Sequence, residues 1–177
     1  VDLHIRYSTL LRLVACRIED IQDAVFRPAE GILLTVELEG RSRQTLGYRL
    51  RVRHPSIGSI VFAEAAPADD EKIRMIFRLL DALDLGFQDD AMLLHKIVQK
   101  REIVHTLSDA GKQRSVYERL ERMLPDSPYV LQHRAILEKE LGNAAESIAF
   151  AQKACEVDQN NNQVFRTTLG NAYEYAA

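Results

Sequence analysis

Apolar residues recur at helical spacing through most of this 177-residue chain and switch to strict alternation in one short stretch. Leu3, Tyr7, Leu10, Leu11 and Val14 share one side of a 3.6-residue period, which predicts a helix over 3–16. Ile18, Ile21, Val25 and Phe26 repeat that spacing over 18–26. Arg27-Pro28 closes this second helix, because the residue before a proline is pushed out of helical dihedrals. Residues 31–38 are β-branched and apolar, 39–42 read as a turn, and 45–53 alternate, so the pair predicts a β-hairpin. In its second strand Leu50 and Val52 fall on the core side, and Arg49, Arg51 and Arg53 on the other. His54 stands at the joint, and Pro55 opens a helix where its missing N–H costs nothing.

Helix, helix, hairpin, helix within about 65 residues is the order of a winged-helix module, a helix-turn-helix variant. After Pro67 comes a helix with Ile73, Ile76, Phe77, Leu80 and Leu83 on one face. Asp69 or Asp70 suits its N-cap, and Gly86 its stop. A further helical run covers 91–107, with a break near Gly111, and from Ser115 onward the pattern is helix pairs only. The spacing there matches a tetratricopeptide repeat of about 34 residues, two antiparallel helices that stack on their neighbours. Gly142-Asn143 falls at the turn within a repeat. Ala144, Ile148, Ala151, Ala154 and Val157 give a small apolar face, and 158–162 form the inter-repeat loop. Leu169-Gly170-Asn171-Ala172-Tyr173 resembles the next first helix, and Pro125 falls in the preceding terminal loop. Arg134 and Glu138 stand where large apolar residues are usual, and the loop carries one extra residue. The expected fold class is mostly α (α+β): a winged-helix-like domain over 1–66, a helical connector over 67–113 and degenerate repeats over 114–177.

Composition adds bounds. Hydrophobic residues make up 46% and charged residues 28%, as in ordinary globular domains, and a net charge of −3 exerts no general pull on nucleic acid or membrane. An anion site would have to be local. Cys16 and Cys155 lie far apart in helical stretches and read as buried thiols of a reducing cytosol, so a cytoplasmic location is expected. No apolar run approaches the ~18 residues of a membrane span. A start at Val1 rather than Met, and an end inside helical sequence, suggest a piece of a longer polypeptide.

Catalytic motifs are missing from the sequence. The eight glycines include no GxxxxGK[ST] and no GxGxxG, and there is no HExxH, CxxC or GxSxG. His95 and His105 have no ligand partner at metal spacing, and Asp69-Asp70 and Asp89-Asp90 precede helices, where capping accounts for them. No enzyme activity, catalytic residue or metal is therefore expected within the chain. The arginine ladder admits three readings. It is a solvated strand face, a DNA-contacting wing with Arg41 and Arg43 at its tip, or a docking and anion-facing surface built on Arg49 and Arg51. Glu19, Asp20 and Asp23 on the would-be recognition helix count against DNA, since they repel the duplex.

Arg53-His54-Pro55-Ser56-Ile57-Gly58-Ser59-Ile60-Val61, set between a winged-helix pattern and tetratricopeptide-like repeats, resembles bacterial members of the STAND signalling ATPases. By position His54 looks like the histidine of the Met-His-Asp-type motif, with Arg53 in place of the usual Met and Pro55 in place of the usual Asp. The resemblance implies that His54, beside Arg53, senses the β-phosphate of ADP bound by an ATPase module upstream in the same polypeptide. The nucleotide, ADP or ATP, then belongs to the parent protein and no cofactor to this fragment. A contact made only to ADP would bias a closed state by about 1–3 kcal/mol. It further implies a protein ligand on the repeats, oligomerisation on activation, and a role in signalling or defence. Two other readings stay open: His54 bonded to nearby backbone, and the whole chain as a tetratricopeptide-type interaction scaffold without enzymatic activity.

Overall fold

The structure, a computed structural model, describes residues 5–15, 23, 27–29, 34–39, 47–52, 55–99 and 102–177. It divides into two compact units, 1–97 and 98–177.

In the first unit the chain enters as a short strand, β1 (Ile5–Arg6), and passes directly into α1 (Tyr7–Val14). Ala15 closes α1 in the left-handed region at φ 53°. A three-residue helical turn, α2 (Arg27–Ala29), precedes β2 (Leu34–Glu39) and β3 (Gly47–Val52). The strands form an antiparallel sheet in the order β1-β3-β2, with Ile5 opposite Leu50 and Val36 opposite the same residue from the other side. Then come α3 (Pro55–Ala65), α4 (Asp69–Ala82) and α5 (Gln88–Gln99), whose last residues cross into the second unit. Helix α4 packs against α1. Ile76 and Leu80 are buried, and Ile73, Phe77 and Leu83 half-buried, so the apolar stripe read from the sequence is the inward face of α4.

The expected α+β fold with a winged-helix domain is corrected by this architecture. Helices make up most of the described residues, and the strands are short, of two, six and six residues. Among the described residues, the segment between α1 and β2 contributes only α2, so the second helix of a helix-turn-helix is not among them. The helix expected to begin at residue 3 starts at Tyr7, because Ile5 and Arg6 pair with Leu50 and Arg49 of β3. Pairing with a distant strand overrides a local helical period, which short apolar runs do not resolve. The chain is therefore predominantly helical, not a winged-helix α+β domain.

Capping also differs from expectation. The N-cap of α4 is Ala68, and Asp69, Asp70 and Glu71 occupy the first turn, where carboxylates favour the positive end of the helix dipole. Glu71 accepts the Ala68 N–H at 3.2 Å. Gly86 lies beyond the C-cap Leu83, in a turn where its N–H donates to Asp84 Oδ1 at 3.0 Å.

The second unit takes up the end of α5 and continues with α6 (Glu102–His105), α7 (Ala110–Met123), α8 (Pro128–Glu140), α9 (Ala144–Val157) and α10 (Gln163–Ala176). Gly111 is not a break: it sits in the first turn of α7, capped by Asp109, whose Oδ1 accepts the Lys112 N–H at 2.8 Å. Helices α8 and α9 turn at Gly142, which needs φ 82° and so suits a residue without Cβ. Asn162 caps α10 by accepting the Val164 N–H at 3.0 Å. Helices α8, α9 and α10 share an interior of two adjoining clusters. Leu131, Ala154 and Phe165 form one, and Ala135, Ala151 and Ala172 the other. The small residues let the helix axes approach closely, and Tyr129 packs edge-on against Phe165 at 5.2 Å between ring centroids.

Candidate interaction surface

Two buried polar clusters organise the helices, one in each unit. In the first unit Asp90, on the opening turn of α5, is fully buried. Thr9 donates its hydroxyl to Asp90 Oδ1 at 2.6 Å, with Oδ2 at 2.9 Å. Arg12 Nη2 donates to Oδ2 at 2.8 Å, and the Asp84 N–H reaches the same oxygen at 2.9 Å. The Arg12 Nε donates to the Ala82 carbonyl at 2.7 Å. One carboxylate thus ties α1 to the end of α4 and the start of α5. Capping alone does not account for Asp90, as the sequence reading supposed.

In the second unit Glu138, 2% exposed, receives four side-chain hydrogen bonds. Arg114 Nε donates to Oε1 at 2.9 Å and Nη2 to Oε2 at 2.6 Å, while Arg134 Nε reaches Oε1 at 3.1 Å and Asn143 Nδ2 reaches Oε2 at 2.7 Å. The Asn143 backbone N–H also donates to the Glu138 carbonyl at 2.8 Å. The hydrogen bonds from Arg114 above all, joined by those from Asn143 and Arg134, lower the Glu138 pKa to about 2 against the opposing effect of burial. Reciprocally, the bond to Glu138 raises the Arg114 pKa. Arg134 also lies 3.6 Å from Glu118 and stacks its guanidinium over Phe150, 4.9 Å from the ring centroid. Charge at positions 134 and 138, where the repeat pattern calls for apolar bulk, is therefore matched within the helices.

The residues singled out in the sequence fare differently. His54 and Arg53 lie outside the described residues. The segments on either side are placed: β3 ends at Val52 and α3 begins at Pro55. Arg49 and Arg51 are in β3, with Glu37 and Thr35 of β2 as their respective Cα partners and Arg6 of β1 also opposite Arg49. Gln132 and Tyr129 serve packing: Gln132 is buried and donates to Thr168 Oγ1 at 2.9 Å, and Tyr129 lies against Phe165. His95 and His105 are exposed, and burial raises the pKa of the half-buried Cys155 thiol. Among the described residues no group of three or more His, Cys, Asp or Glu side chains could hold a metal ion, and no helix is long and apolar enough to cross a membrane.

The most exposed large apolar side chains described in the second unit are on α10, where Val164, Tyr173 and Tyr175 are each about half exposed; Leu141, after α8, is exposed to a lesser degree. Val164 and Tyr175, eleven residues apart, fall on one side of the helix, and Tyr173 lies on another. Sequence reading missed this surface because the same residue types at the same spacing serve equally as core. No protein-family model matches the chain, and a search of curated proteins returns no match.

Proposed function

We propose that the chain is a non-catalytic helical module that binds a protein partner through its second unit. The observation that carries this reading is the contrast within α8–α10. The polar and apolar side chains of their interior are committed to one another, while α10 exposes Val164, Tyr173 and Tyr175. Aromatic and branched side chains on a rigid helix form an anchor surface at low entropic cost. The test is affinity purification of the protein from its native cells, in wild-type form and as Val164→Asp/Tyr175→Asp, with mass spectrometry of the bound material. A defined polypeptide recovered with the wild type and lost with the variant is expected; identical recovery from both would overturn the reading.

A second reading, nucleotide sensing within a larger signalling ATPase, is supported by β3 ending at Val52 and α3 beginning at Pro55, so that His54 directly precedes α3 in sequence, as the resemblance of this stretch implies. Its test is ADP release from the full-length protein carrying His54→Ala. Faster release is expected, and an unchanged rate would remove the reading.

A further inference from the structure

We draw no further inference here: the strongest candidate, the apolar surface of α3 in the first unit on which Ile60 and Val61 are exposed, carries nothing, because nothing in the structure shows what covers it.

Discussion

Arg114 grips Glu138 with two parallel hydrogen bonds, at 2.9 and 2.6 Å, that join α7 to α8 across 24 residues of sequence. The carboxylate is buried while the guanidinium is 37% exposed, so the pair has its acceptor inside and its donor at the surface. Such geometry makes the interaction dependent on both partners: removing the acceptor leaves Arg134 poorly solvated, and removing Arg114 leaves a buried charge short of donors.

Glu138→Ala is therefore expected to destabilise the second unit by about 3 kcal/mol, within the range for breaking a buried pair. Urea denaturation, with hydrogen exchange of the α8 amides to assign the effect, measures it. Replacing the cluster by Arg114→Met/Arg134→Met/Glu138→Leu should cost less than Glu138→Ala alone, because neither guanidinium is then left without its carboxylate.

Acid sensitivity follows from the same group. The Glu138 pKa is lowered from 4.5 to about 2 on folding, so the folded state binds this proton more weakly than the unfolded state does. Its contribution to stability is complete above about pH 4.5 and disappears as the pH falls toward 2. Glu138→Gln, less stable at neutral pH, should show a shallower loss of stability across this window than the wild type. Parallel pH profiles for the two would contradict the assignment.

In the first unit, Asp90→Ala should cost about 2–4 kcal/mol by stranding the Thr9 hydroxyl, the Arg12 guanidinium and the Asp84 N–H together. Thr9→Val, which removes only one donor, should cost about 1 kcal/mol. Thermal unfolding followed at probes placed in residues 55–97 checks both. Equal effects of the two substitutions would show that Asp90 does not organise the cluster.

Two glycines should respond in opposite directions. Gly142 holds φ 82° at the α8–α9 turn, and Gly142→Ala is expected to destabilise by about 1 kcal/mol. Gly170 lies inside α10 with open space beyond its Cα, and Gly170→Ala should stabilise by up to about 1 kcal/mol. Melting temperatures of the two variants, compared with wild type, decide the matter.

Much of the helical content was legible in the chain. The stripe Ile73, Ile76, Phe77, Leu80 and Leu83, the turn at Gly142 and the small faces of α9 are local patterns, and a 3.6-residue period or a left-handed dihedral is enforced by neighbours in sequence. Charged residues at helical positions were harder to interpret. Arg134 and Glu138 looked like departures from a repeat, and Asp90 like an ordinary first-turn acid, because their partners Arg114, Thr9 and Arg12 lie up to 81 residues away.

By itself the sequence determined where most helices run, where they turn and which faces are apolar, since those depend on dihedral preference and period. Tertiary structure alone decided that Ile5 and Arg6 leave the helical pattern to pair with β3, that Thr9, Asp90, Glu138 and Ser147 are buried rather than solvated, and that Gly170 faces open space while Ala135 is enclosed. Burial and pairing depend on what the rest of the chain brings to a position, and a residue's neighbours in sequence carry no record of that.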